Sequence, residues 1–286
     1  MRKNLFRMVF YLTVILVCSV VFLLFLWGNH LRMDSEPPVI SFSEELLEIS
    51  ASDPREALLR GVTATDAVDG DVTDSLVVAQ LQLLDKDGSV RVTYAAFDAA
   101  GNVAKAVRKA KFTDYVSPRF SLNTSLTFSY NTQYDLFSMV KAEDMLDGDI
   151  SHRVRITTLD DTSITTLGTH RVKVDVTNSL GHTVTLELPV EIYAAGTYAA
   201  TLKLTDYLVY LPVGAELDVN AYLESYVRGT AAVSLEDGIP EGIAADVKSN
   251  VDTEVPGVYT VEYRVSETVN GRSYTGYAKL IVVVEG

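Results

Sequence analysis

The segment Gly88-Ser-Val-Arg-Val-Thr-Tyr-Ala-Ala-Phe-Asp98 sets Val90, Val92, Tyr94 and Ala96 at alternate positions between a glycine and an aspartate. Successive side chains of a strand point to opposite faces, so four apolar residues in this phase mark a strand with one buried face. The frame returns from Gly168, with His170, Val172, Val174 and Val176 before Asn178. It returns again from Gly257, with Tyr259, Val261, Tyr263 and Val265 before Glu267. An identical frame three times over is an internal repeat. A glycine turn follows each copy (Gly101-Asn102, Gly181-His182, Asn270-Gly271) and then another strand, so each unit closes on a β-hairpin.

Upstream of the first frame lies Asp66-Ala-Val-Asp-Gly-Asp-Val-Thr73, and upstream of the second lies Asp144-Met-Leu-Asp-Gly-Asp-Ile-Ser151. The aspartate stretch recurs after 78 residues and the hairpin after 80, so the first two units are equivalents separated by a two-residue insertion. The third frame starts 89 residues after the second, and only Leu235-Glu-Asp-Gly238 faintly resembles the aspartate stretch there. Hinges near Val116-Ser-Pro118 and Ala194-Ala-Gly196 divide the chain into units at 37–116, 117–193 and a divergent 194–286. Pro38-Val-Ile-Ser-Phe-Ser reads as an edge strand, 53–60 as a helical turn, and Asp85-Lys-Asp-Gly88 as a hairpin turn. Short strands punctuated by turns predict an all-β chain of tandem immunoglobulin-like antiparallel β-sandwiches.

In front of these units, residues 8–27 (MVFYLTVILVCSVVFLLFLW) are 20 in number and contain no charge, glycine or proline. At about 1.5 Å rise per residue they match a bilayer core, and they are too long for the apolar part of a cleaved signal peptide. The reading is an uncleaved transmembrane signal anchor. Arg2, Lys3 and Arg7 precede it and Arg32 follows, so 1–7 is expected in the cytoplasm and the bulk, beyond a linker at 28–36, outside the cell membrane. Val282-Val-Val-Glu-Gly carries no Leu-Pro-x-Thr-Gly sorting tail, so wall attachment is not expected.

The net charge of −14 rises to −18 once the four basic residues of the first 33 are set aside. That balance excludes nucleic acid as a partner and predicts repulsion from anionic headgroups. The single cysteine, Cys18, lies inside the apolar run, so the external units stand on packing, or on packing plus ions.

Three quoted stretches of the first unit, Pro38-Val-Ile, Ala64-Thr-Asp-Ala-Val-Asp-Gly-Asp-Val-Thr73 and Val92-Thr-Tyr-Ala-Ala-Phe-Asp-Ala-Ala-Gly-Asn102, resemble the bacterial immunoglobulin-like surface repeats related to hyalin-repeat and cadherin-like modules. Residues 117–193 resemble them with Thr177-Asn-Ser-Leu-Gly-His182 in place of the hairpin turn, and 194–286 only through Val251 to Tyr263. The resemblance implies a non-catalytic extracellular module of a bacterial surface protein.

Calcium is the sharpest chemistry the aspartates offer, since it takes six to eight hard oxygens. In an immunoglobulin-type sandwich the aspartate loop and the closing hairpin turn share one pole. Candidate ligands are therefore Asp66, Asp69, Asp71 and Asp98, with Asn102 nearby, in the first unit. The second offers Asp144, Asp147, Asp149 and Asn178, beside Glu143. The linker, if it reaches that pole, would let an ion stiffen a junction. Against this, aspartate and glycine are what any tight turn needs, and the spacing is not that of an EF-hand.

No metalloprotease, zinc-finger, nucleophile-elbow or phosphate-loop pattern surrounds His30, His152, His170 or His182, so no enzymatic activity is expected. Ten of the 15 tyrosines fall between 193 and 277, which gives the distal unit a protein- or glycan-binding face as one reading and ordinary strand residues as the other. The expected function is adhesion, scaffolding or spacing at the bacterial cell surface. The alternatives are carbohydrate binding and envelope-polymer processing at an unrecognised site.

Overall fold

The N-terminal apolar run is one α-helix, Arg2–His30. Its segment Arg7–Phe25 has a mean hydropathy of 2.8, is long enough to cross a bilayer and exposes its apolar side chains. The hydroxyls of Thr13 and Ser19 donate at 2.8 Å to the carbonyls of Val9 and Ile15, which satisfies them within the helix. The computed structural model describes residues 2–30, 34–159 and 164–286, the first and last few of the helix by backbone alone. Arg32 and the rest of 31–33 lie outside the described residues, as do 160–163.

Beyond the helix the protein is a succession of paired β-sheets, and it divides into two compact units. The first comprises Met1–Ile49, Asp53–Asp85 and Ser89–Thr113. One of its sheets orders Val39–Phe42, Val62–Asp66 and the two-residue Gly70–Asp71. The other orders Leu46–Ile49, Val103–Phe112, Ser89–Phe97 and Val77–Leu83. The hairpin foreseen from the repeat frame is the centre of this second sheet, with Val90 opposite Ala110 and Phe97 opposite Val103. The alternation works as expected: Val90, Val92, Tyr94 and Ala96 are all fully buried. The Tyr94 hydroxyl donates at 2.7 Å to the carbonyl of Leu58, which a 3₁₀ turn at Arg55–Leu59 presses into the core. The buried Arg108 guanidinium donates to the Arg60 carbonyl at 2.8 Å and lies over the Phe42 ring at 5.8 Å.

The opening strand changes sheets. Val39–Phe42 pairs antiparallel with Val62–Asp66, whereas Leu46–Ile49 pairs parallel with the last strand, Leu46 opposite Lys109. The same switch recurs downstream. Arg119–Leu122 joins Val140–Asp144, and Thr127–Ser129 runs parallel to Thr183–Tyr193. Thr201–Leu204 joins Leu223–Arg228, and Leu208–Pro212 runs parallel to Arg272–Glu285. Each otherwise antiparallel sandwich therefore holds one parallel pair.

The second unit contains Asp114–Gly286 and has two apolar cores. They meet along Arg272–Glu285, where every residue from Gly276 to Val284 is buried. Ala278, Leu280, Val282 and Val284 fill one core, while Ile281 and Val283, with Leu208, fill the other beside Phe120, Leu122 and Leu188. A strand covered on both faces reads as a continuous apolar run. Polar links reinforce the seam: Glu191 Oε2 accepts from the Tyr277 hydroxyl at 2.9 Å and from Lys279 Nζ at 2.8 Å, and Lys279 also meets Glu262 at 3.4 Å. The Lys279 N–H donates to Ser125 Oγ at 3.0 Å, the Tyr210 hydroxyl accepts from the Phe120 N–H at 2.8 Å, and Arg119 pairs with Glu285.

Candidate functional site

The first aspartate loop closes as a tight hairpin with Asp66 opposite Gly70, whose φ of +76° favours glycine. One oxygen of Asp66 accepts from the N–H groups of Val68 at 2.7 Å and Asp69 at 3.0 Å. Asp71 accepts from the Thr73 N–H at 3.0 Å, and hydrogen bonding from Thr73, its side chain first and then this N–H, holds the Asp71 carboxyl below the usual range. Asp69 accepts from the Ala99 N–H at 2.8 Å, which ties the loop to the closing hairpin turn, so the two loops do share a pole.

At that pole one carboxylate oxygen each from Asp34, Asp66 and Asp98 lies within 4.8 Å of the other two. Asp98 is buried and accepts at 2.7 Å from both the Asn102 N–H and its Nδ2. Burial pushes the Asp98 carboxyl up, and these Asn102 donors more than reverse that, leaving it below the usual range and ionised. Asn102 Nδ2 also donates to the Asp34 carbonyl at 3.2 Å and the Glu36 carbonyl at 3.3 Å, which fastens the incoming linker to the pole. Asp34 Oδ2 is fully buried and has no hydrogen-bond partner among the described residues. The structure thus gathers Asp66 and Asp98 with Asp34, which no sequence pattern singled out. Asp69 and Asp71 stand beside the cluster with oxygens spent on the turns.

The second loop has the same backbone, with Asp144 opposite Gly148, and a different answer to its charge. Buried Asp144 accepts from the N–H groups of Leu146 and Asp147 at 3.0 Å each and from Asn178 Nδ2 at 3.0 Å. Asn178 Nδ2 also donates to the Tyr115 hydroxyl at 2.9 Å, and that hydroxyl lies 2.8 Å from His182 Nδ1. Asp147 accepts from the Ser179 N–H and from Arg153, and Asp149 from the Ser151 N–H. An amide and a phenol occupy the places that carboxylates take in the first unit. The Asn178 amide and the loop N–H groups satisfy the buried acid Asp144, and the phenol in turn accepts from the amide.

In the third repeat the strand residue corresponding to Asp66 and Asp144 is Arg228, and the frame residue corresponding to Asp98 and Asn178 is Glu267. Arg228 Nε donates to Glu267 Oε2 at 2.8 Å, and the guanidinium lies over Tyr274 at 5.2 Å. This pole carries its own cation. Glu267 was visible in the repeat frame; Arg228 was not, because the loop that would have marked its place is missing.

His182, where the first unit has Asn102, is buried, and burial lowers its pKa, with Lys86 adding to the effect and Asp144 opposing it. The unfolded chain therefore takes up this proton first as pH falls below about 6.5, and stability declines there. His182→Asn should flatten the melting temperature between about pH 7.5 and 5 relative to the parent, and parallel curves would exclude His182 as the source.

No known family model matches the chain. The pesticidal crystal protein Cry22Aa of Bacillus thuringiensis is 24% identical over 240 residues, which is 82% of this chain and 31% of that protein. The chain thus spans about a third of that relative's length. Among solved structures, the protocadherin gamma B2 extracellular cadherin domains 1-5 align at 11% identity over 88% of this chain and 60% of theirs, with a TM-score of 0.21. The M60 catalytic domain with the CBM51-1 and CBM51-2 domains of Clostridium perfringens ZmpB aligns at 11% over 88% and 43%, with a TM-score of 0.25. Superpositions this loose carry no argument, and the fold rests on the strand pairing above.

Proposed function

We propose that the chain is a membrane-anchored, non-catalytic protein whose β-sandwich modules are displayed outside a bacterial cell membrane as a spacer or scaffold for adhesion. The observation that carries this reading is the fusion of the two distal cores along Arg272–Glu285, which supports a stiff display element. The histidines fit a structural role: His170 is buried against the Thr166 carbonyl and His182 is held by Tyr115. Orientation follows from the basic residues before the helix. Protease added to intact cells should remove a C-terminal epitope and spare an N-terminal one, and the opposite pattern would overturn the topology. Cross-linking of the full chain in intact membranes, followed by co-purification, should recover envelope neighbours.

A cation at the first pole is a second reading, carried by the buried Asp34 Oδ2, which has no partner among the described residues, and by the Asp66 and Asp98 carboxylates gathered with Asp34 within 4.8 Å. Divalent calcium fits three hard oxygens, and extracellular calcium modules bind at roughly 0.1–1 mM. At about 10 mM calcium that affinity stabilises the first module by roughly 1.5–3 kcal/mol. Melting of the full chain with calcium and with chelator reads this shift, and Asp34→Asn should erase it. An unchanged parent melting temperature would remove the ion from the site.

Glycan binding has a specific place to be tested. A groove of about 520 Å³ in the second unit is lined by Tyr193, Tyr198, Tyr207 and Tyr277 with Asn123 and Lys203. Silence of the full chain on a glycan array would count against that role.

A further inference from the structure

The outward face of the first module's four-stranded sheet is basic and apolar, against the sign of the whole protein. Arg91, Lys105 and Lys109 are exposed on it, and none of them forms an ion pair among the described residues. Arg91 and Lys109 stand directly opposite each other across the ladder, an arrangement that costs stability. The chain has 38 acidic residues with which to relieve it, yet the strands of this face contribute only Glu48, which lies opposite Lys111 at the edge. Beside the charges lie Phe97, Val103 and Val107, 41–54% exposed. Phe97 and Val103 form the end next to the pole where the linker enters, and Arg91 and Lys109 lie farther along the strands.

The corresponding face of the third repeat shows what this sheet can do. Val90 lies opposite Ala110, and its frame equivalent Tyr259 lies opposite Val282, so Lys105 and Lys109 correspond to Tyr277 and Ile281. Those two residues are buried within the second unit. The same face is thus a docking face in one repeat and an open, cationic one in the first.

We propose that the basic sheet face of the first module rests on an anionic lipid headgroup layer. This rests on the membrane-anchor reading. Eight residues separate His30 at the end of the helix from Val39, a reach of no more than about 30 Å, which keeps the face near the bilayer. Lysine and arginine stems lie along an apolar interface while their charged ends meet phosphodiesters, and shallow phenylalanine and valine side chains suit the same layer. Net charge would forbid this contact only if the charge were evenly spread; within a Debye length of about 10 Å the local face decides.

The test uses the full chain in vesicles of phosphatidylcholine alone or with about one-third phosphatidylglycerol, and reads amine acylation by mass spectrometry. Lys105 and Lys109 should react about tenfold more slowly on the anionic vesicles, with Lys248 as the exposed control, and high salt should abolish the difference. Arg91→Gln keeps both reporter lysines and removes one charge, so it should weaken the protection about fivefold. Because it also removes the like-charge opposition, it should melt no lower than the parent. Equal rates on both vesicles overturn the proposal. So does protection by inorganic phosphate on neutral vesicles, or protection on neutral vesicles that grows with protein density, which would mean a second copy. Flotation separates the two readings: a chain that floats with anionic vesicles alone loses its anchor and keeps this face, and one that floats with neither loses both.

Discussion

Ile281→Asp is expected to cost the second unit about 4 kcal/mol or more, read as a fall in its urea midpoint in the full chain. Ile281 is 2% exposed and packs among residues of 117–193, so a carboxylate there meets apolar side chains instead of water. The control is Lys109→Asp, the same strand position in the first module, which is exposed and should lower stability by no more than about 0.5 kcal/mol. If the two substitutions cost the same small amount, the distal cores are not fused through this strand. The contrast matters for function, because a chain of free modules bends at each junction whereas a shared strand makes a stiff terminal piece.

Glu191→Ala should lower the stability of the same unit by about 3 kcal/mol. The carboxylate accepts from both the Tyr277 hydroxyl and Lys279 Nζ, and Lys279 is buried, so its loss leaves a cation with only the longer contact to Glu262. Burial first, and then the charge of Glu191, push the Tyr277 phenol far above its usual range, so it remains a donor. Removing Lys279 as well should recover most of the loss: the Glu191→Ala, Lys279→Met double variant is expected to melt above Glu191→Ala alone. If the single and double variants melt together, the ammonium is not what the carboxylate stabilises.

These two residues mark where the sequence was hardest to read. The hairpins were legible because Val90, Val92 and Tyr94, or Val172, Val174 and Val176, alternate with polar residues, and alternation has one physical meaning in a strand. The run Ala278-Lys-Leu-Ile-Val-Val-Val284 has no alternation, and that itself is the mark of two-sided burial. Beside Val103-Ala-Lys-Ala-Val-Arg-Lys-Ala-Lys-Phe112, where lysines recur along one face, the difference between a shared strand and an open one is written in the chain. The parallel pairing of the opening strand had no such mark, since a four-residue strand carries too little pattern to say which sheet it joins.

The pole was half legible. Asp66 and Asp98 could be brought together from loop order alone, but Asp34 sits in a polar linker without periodicity, and only the donors of Asn102 reveal that the linker is fastened there. Comparison of the three poles sharpens the motif. Three carboxylates stand in the first, an acid with an amide and a phenol in the second, and an arginine with a glutamate in the third. The same backbone site thus keeps an unpartnered carboxylate oxygen among the described residues once and is closed from within twice.

The switched opening strand also bears on how the protein carries load. In the first module the chain enters the parallel pair at Leu46 and leaves it at Phe112, the far end of its partner. In the anchored role proposed above, tension between the helix and the distal modules would run along this pair and shear its ladder, so the evenly spaced bonds would resist together instead of opening one by one. Forced unfolding is governed by the rate of escape from the native state, and a sheared terminal pair raises that barrier without any change in equilibrium stability. The same switch at Thr127–Ser129 and Leu208–Pro212 gives each later repeat a parallel pair of the same kind.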